Sequence, residues 1–297
     1  MKKQKMPLLV VGVLLLGIAL TVGVFMIGAN KNQFAEETEK IEPQPLQIET
    51  VQEKSNMEEN TSEKTKEEEP EDVKEEEPEE QEGAEPIVAK KKVALDAGHQ
   101  RRGMSEHEPI GPGAQQTKPK VSSGTRGVAT GIYEYELNLT VTLLLEAELQ
   151  ARGYEVVMIR SIHDVEISNA QRAVVANEAN ADAFLRIHAN GSENSATRGA
   201  LAMCMTPSNP YNGQLYEASR RLSDTILGEF CKVTGAPKLN VIEIDTMSGI
   251  NWCNVPVTII EMGFMSNAEE DKLLNTADYQ MKMVQGIANG LDAYFGY

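Results

Sequence analysis

Cysteine is scarce in this chain: three residues in 297, Cys204, Cys231 and Cys253. Their number and spacing match neither a zinc ribbon nor a small disulfide scaffold. One disulfide with a leftover thiol and three separate buried thiols are both compatible with that pattern. None lies near the N-terminus, which excludes a lipidated anchor there by residue type. Basic residues are also in deficit, with 28 Lys and Arg against 45 Asp and Glu for a net charge of -17. The imbalance is local: residues 31–89 carry about 21 acidic groups against about 6 lysines, which leaves only about -5 for residues 90–297. No basic patch remains to recommend nucleic acid as a partner. No internal repeat is present, and no HExxH sequence, so the common metalloprotease layout is excluded. Histidine is limited to four residues.

Uncharged apolar sequence is sustained only once. Lys2, Lys3 and Lys5 precede a run from Pro7 to Ala29 that is long enough to cross a bilayer with some tilt. A cleaved signal peptide has a shorter apolar core and a small-x-small site, which "IGA" before Asn30 matches poorly. Residues 1–30 therefore read as a membrane anchor with a cytoplasmic N-terminus and an exported remainder, or a secreted one if the segment is cleaved. Residues 31–90, rich in Glu, Pro, Lys and Gln, offer almost nothing to bury and read as a disordered acidic linker.

From residue 91 the pattern changes. "KKVALDA", "YEVVMIR", "DAFLRIHA", "GALAMCMT" and "PVTIIEMG" read as strands largely buried on both faces. Helical patterns alternate with them: residues 136–153 closing on Gly153, a segment opening at Ser168 with Gln171 as a capping box, residues 213–235, and the C-terminal stretch from residue 277. This alternation predicts one α/β domain over residues 91–297, built on a mostly parallel sheet.

In such sheets ligands sit beyond the carboxyl ends of the strands. His99 follows one strand, His188 ends a second and Glu261 ends a third, while Glu134 stands at the mouth of the first helix. A catalytic zinc takes three protein ligands and keeps a fourth position for water. On that logic His99, Glu134 and His188 are the metal ligands, and Glu261 is the base that takes the water's proton. Each residue also has a plainer reading. A lone histidine at a strand end is commonly a hydrogen-bonded surface group, and Glu134 suits a helix N-terminus, with Glu136 as its rival. Glu261 is harder to dismiss, because a carboxyl group between "VTII" and "MGF" is costly unless it is used.

At these residues the chain resembles a known family. "ALDAGH", "YEYELNL", "FLRIHANGS" and "VTIIEMGFMSNAEED" are similar, in order, to four signatures of the zinc-dependent N-acetylmuramoyl-L-alanine amidases of the type 3 family. The resemblance runs from about Val93 to Tyr297. It implies one zinc ion on His99, Glu134 and His188, catalysis by Glu261, and a six-stranded mixed sheet. The implied substrate is peptidoglycan, cut between the lactyl group of N-acetylmuramic acid and L-alanine. Ala97 and Gln100 depart from the Pro and Gly more usual in the family.

Other expectations attach to single residues. The Gly-, Pro- and Ser-rich segment 100–133 reads as a mobile loop beside the site. His107 reads as solvated and His163 as a loop residue. Asp96 is expected to orient His99, and Asn190 to do the same for His188. Arg186 should face away from Ile187, in a surface or ion-paired role, and Ser266 with Glu269 suggests a capping box. Two rival functions remain: an inactive membrane-tethered wall-binding protein, disfavoured because all four site residues are present, and a zinc carboxypeptidase, which needs a cation that the sequence does not assign.

Overall fold

The computed structural model describes residues 91–297; the anchor and linker readings for residues 1–30 and 31–90 lie outside the described residues. In chain order the elements are β1 (Lys92–Ala97), β2 (Met104–Pro109), β3 (Thr117–Val121), α1 (Glu134–Ala151), β4 (Glu155–Met158), α2 (Asn169–Glu178), β5 (Ala183–Asn190), β6 (Ala200–Cys204), α3 (Tyr216–Thr234), β7 (Lys238–Glu243), α4 (Ser248–Asn251), β8 (Val257–Phe264), α5 (Ala268–Leu274) and α6 (Ala277–Phe295). Six strands form one sheet in the order β4-β1-β5-β8-β6-β7. Its pairs are parallel except β6 against β8. The fold is the single α/β domain with a mixed, mostly parallel sheet that the alternation predicts.

Side-chain parity assigns the two faces, since successive residues of a strand point oppositely. Val93, Leu95, Leu185, Ile187, Ile260 and Met262 pack on one side against α1, α3 and α6. Helix α1 meets them with Leu137, Val141, Leu145 and Leu149, one stripe at four-residue spacing. On that side α3 and α6 touch backbone to backbone: a Cβ on Gly290 would stand 2.7 Å from Ile226 Cα. Ala94, Phe184, Val257 and Ile259 face the other way, into a smaller core with Ala173 and Ala176 of α2 and with Ile250. Asp96, Arg186, His188 and Glu261 share this second parity. The candidate residues His188 and Glu261 therefore lie on the α2–α4 face, at the carboxyl edge of the central strands.

Two segments differ from expectation. The sheet's sixth strand is β7, whose alternating half-exposed residues mark it as an edge. Segment 100–133 is not simply a loop: β2 and β3 pair as an antiparallel hairpin. The hairpin is tied to the domain by the Asn169 side chain on Lys120 O (2.8 Å), by Asn251 on Ile110 O (2.9 Å) and by Trp252 Nε1 on Pro109 O (3.0 Å). All three cysteines are free thiols.

Candidate metal centre

Strand β1 ends in Gly98 and His99, and His99 adopts a left-handed backbone, φ 60°. A non-glycine residue pays for this conformation in strain, so surrounding contacts must hold it. Two buried arginines do so. Arg160 donates to the carbonyls of Ala97 (2.7 Å) and Gly98 (3.0 Å), and Arg172 to those of Ala97 and His99 (both 3.1 Å). Gln100, one of the departures from the family pattern, is fully buried and accepts Arg172 Nη2 at 2.7 Å. Neither arginine was among the sequence-derived site residues; a buried guanidinium is recognisable only once its partners are known.

Helix α1 begins two residues earlier than its pattern suggests, which makes Glu134 its first residue. Glu136, the rival ligand, accepts the Tyr133 N–H at 2.9 Å and so caps the helix. Glu134 is buried; its Oε2 accepts Thr125 N (2.9 Å), and its Oε1 accepts Asn138 Nδ2 and Ala189 N (both 3.2 Å). The same Oε1 lies 3.1 Å from His99 Nε2 and 3.2 Å from His188 Nδ1. One ligand atom from each of these three residues fits within 4.8 Å of the others. Glu261 lies directly opposite His188 in the β5–β8 register and lines the same cavity. The four residues singled out from the sequence thus come together.

The donor chemistry fits a metal ion. The Ser122 carbonyl, 2.9 Å from His99 Nδ1, can only accept, so the ring's proton sits on Nδ1 and Nε2 turns a lone pair towards the Glu134 carboxylate. Two acceptors at this separation need a cation or a second proton between them. Tetrahedral zinc with ligands at ~2.0–2.1 Å spaces its donors roughly 3.3 Å apart, close to the two separations from Glu134 Oε1. Burial pushes the His188 imidazole down to about 4, so it is neutral at pH 7, as a ligand must be. Burial opposes the charge on Glu134, but the His188 and His99 imidazoles beside it hold its carboxyl well below the ordinary range. Burial, then the Glu134 charge, pushes Glu261 up to about 8. His188 Nε2 and Glu261 Oε2 are buried without hydrogen-bond partners among the described residues.

The expected supporting residues are arranged differently. Asp96 does not orient His99; it is fully buried between Arg172 and Arg186, whose Nε lies 2.9 Å from its Oδ2. Asn190 does not reach His188, and its Oδ1 instead accepts Gly191 N (2.7 Å). Arg186 is ion-paired, as anticipated, yet almost wholly buried in the cavity wall. Asn267, not Ser266, caps α5, accepting Glu269 N and Glu270 N at 3.1 Å. Asp271 in the same motif accepts Ala129 N and Thr130 N (both 2.7 Å), fixing the approach to α1. His107 is exposed on the hairpin, its Nδ1 3.0 Å from Thr117 Oγ1. His163 sits in a loop, edge-on to the Tyr135 ring.

A family model described as N-acetylmuramoyl-L-alanine amidase matches residues 93–293. Among relatives, the uncharacterised protein YqiI of Bacillus subtilis is 28% identical over 212 residues, 71% of this chain and 88% of that protein. The N-acetylmuramoyl-L-alanine amidase LytC of the same organism is 29% identical over 170 residues, 57% of this chain but only 32% of LytC. The crystal structure of the N-acetylmuramyl-L-alanine amidase Ami1 from Mycobacterium smegmatis superposes with a TM-score of 0.64 at 24% identity, covering 70% of this chain and 98% of Ami1. At that identity the likeness shows the shared fold.

Proposed function

Because the chain belongs to the N-acetylmuramoyl-L-alanine amidase family, we propose that it cuts peptidoglycan between the lactyl group of N-acetylmuramic acid and L-alanine, using one zinc ion on His99, Glu134 and His188 and Glu261 as the catalytic base. The observation that carries this reading is the convergence of two imidazole nitrogens and one carboxylate oxygen from three separate elements. A zinc ion held there would supply a Lewis acid for the amide carbonyl and make water a nucleophile near neutral pH.

The chain's own residues account for the rest. Ser122 O fixes the His99 tautomer, and Thr125 N with Asn138 Nδ2 fixes the Glu134 carboxylate. Glu261, beside His188 in the sheet, takes a proton from the attacking water and delivers it to the departing amine. Beside a bound dication Glu261 would be ionised, the form that acts as base. The N-terminal lysines and the apolar run to Ala29 support a catalytic domain held outside the cytoplasm on a membrane anchor.

The carboxypeptidase reading gains one observation, since Lys118 and Arg186 line the cavity and supply the cation it lacked. Digestion of purified peptidoglycan separates the two. We expect mass spectrometry to find stem peptides with a free L-alanine N-terminus and peptide-free muramic acid, lost with a chelator and restored by zinc. Release of single amino acids from stems that stay on the sugar would overturn the amidase reading.

A further inference from the structure

The cavity, about 360 Å³, continues beyond the four site residues. Arg186 precedes His188 by two positions on β5, so it points to the same face roughly 7 Å away. Ile259 of β8 and Met203 of β6 pair beside it in the sheet and make an apolar floor. This second row carries cationic and polar groups with spare hydrogens.

Arg172 and Arg186 share the single carboxylate of Asp96, which leaves one positive charge uncompensated. Arg186 directs Nε to Asp96 (2.9 Å) and Nη2 to Asn169 Oδ1 (2.7 Å), and Nη1 has no acceptor among the described residues. Gly249 makes room for that nitrogen, since a Cβ there would stand 1.8 Å from Nη1. Lys118 enters from the hairpin, its Nζ only loosely engaged at 3.4 Å from Thr246 O and 3.6 Å from Met247 Sδ. Ser248 is 1% exposed, lines the cavity, and its Oγ has no partner among the described residues. Of the acidic groups nearby, Asp96 is paired with its two arginines, Glu108 accepts Ala170 N and offsets part of the Lys118 charge, and Glu134 and Glu261 belong to the first row.

We propose that Lys118, Arg186 and Ser248 form an anion subsite for the free carboxylate of the second stem residue, so that the enzyme selects acidic over amidated stems. This rests on the amidase reading. An extended peptide advances at most ~3.3–3.6 Å per residue, so a carboxylate on the second residue lies up to about 7 Å from the scissile nitrogen, the same order as the two-residue rise from His188 to Arg186 along β5.

The test is steady-state kinetics of the zinc-loaded full chain on two disaccharide tripeptides that differ only in whether the second residue's carboxyl is acid or amide. The acid should be preferred roughly tenfold in kcat/KM, mainly through KM, as expected for one charge-assisted contact. Lys118→Met, at a partly exposed hairpin position, and Ser248→Ala should each shrink that ratio towards one. Equal wild-type rates on the two substrates would overturn the subsite alone, as would variants that slow both substrates alike and preserve the ratio. No cleavage of either substrate would overturn the amidase reading and the subsite together.

Discussion

Gly98 lies beneath the imidazole of His188: a Cβ on it would stand 2.3 Å from Cε1 and 2.4 Å from Nε2. On the opposite side, a Cβ on Gly124 would come within 2.7 Å of Glu134 Oε2 and 2.9 Å of His99 Cδ2. His99, Glu134 and His188 can approach one another because these two neighbours have no side chain. Gly98 is not in the left-handed region, so Gly98→Ala tests packing alone. The variant should fold but bind less than about a tenth of the wild-type zinc, measured by elemental analysis after dialysis. Full zinc occupancy would show that His188 has room to yield.

Glu261→Gln should keep zinc and lose about 10²–10⁴-fold in hydrolysis of purified cell wall, the usual contribution of a positioned general base. A second readout needs no turnover. In the metal-free protein Glu261 holds its proton up to about pH 8, well above an unfolded glutamate. The folded state therefore carries the extra proton, and stability falls as pH rises from the unfolded value to the folded one. Chelated Glu261→Gln should lack that decline, as read from urea midpoints between pH 5 and 9. Parallel curves for the two proteins would contradict the assignment.

Arg160 binds the strand end that presents His99. Its side chain also donates to Tyr135 O (2.9 Å), linking β1 to α1 and hence to Glu134. Arg160→Met should leave buried carbonyls unpaired and destabilise the protein by about 1–3 kcal/mol. Zinc affinity should fall at least roughly tenfold, as for other residues that orient ligands. Unfolding of the chelated protein gives the first quantity and competition with a zinc indicator the second.

Asp96 predicts the acid limit. Its burial opposes ionisation, yet Arg172 and Arg186 hold its carboxyl well below the usual range. A depressed folded-state pKa stabilises the protein above the unfolded value, and this contribution disappears as pH falls through the folded one. Wild type should therefore lose stability progressively below about pH 4. Asp96→Asn should be less stable at pH 7 and show a weaker pH dependence in that range, as followed by circular dichroism.

The central strands and the four converging residues were legible because both signals are local. Buried apolar runs mark strands, and an ionisable group at a strand end is unusual enough to notice. Asp96 was misassigned because nearness in sequence suggested His99, whereas its register partner across the sheet is Arg186. Strand β7 and the hairpin escaped because "KLNVIE", "MSEHEP" and "TKPKV" carry no buried run; side-chain anchors made elsewhere in the chain hold the hairpin. The α5 cap was displaced by one residue, since Ser266 and Asn267 both suit the position and only geometry chooses between them.

The hairpin has two duties that cannot be separated. Lys118 and Pro119 wall the cavity from β3, and Ser122, immediately after that strand, holds the outer nitrogen of His99. A displacement that widened the entrance for a bulky glycan strand would also pull on the carbonyl that keeps the ring in its ligating tautomer. On the amidase reading, admission of the polymer and retention of the ion are thus mechanically joined, and proteolytic nicking between β2 and β3 would be felt first as leakage of metal.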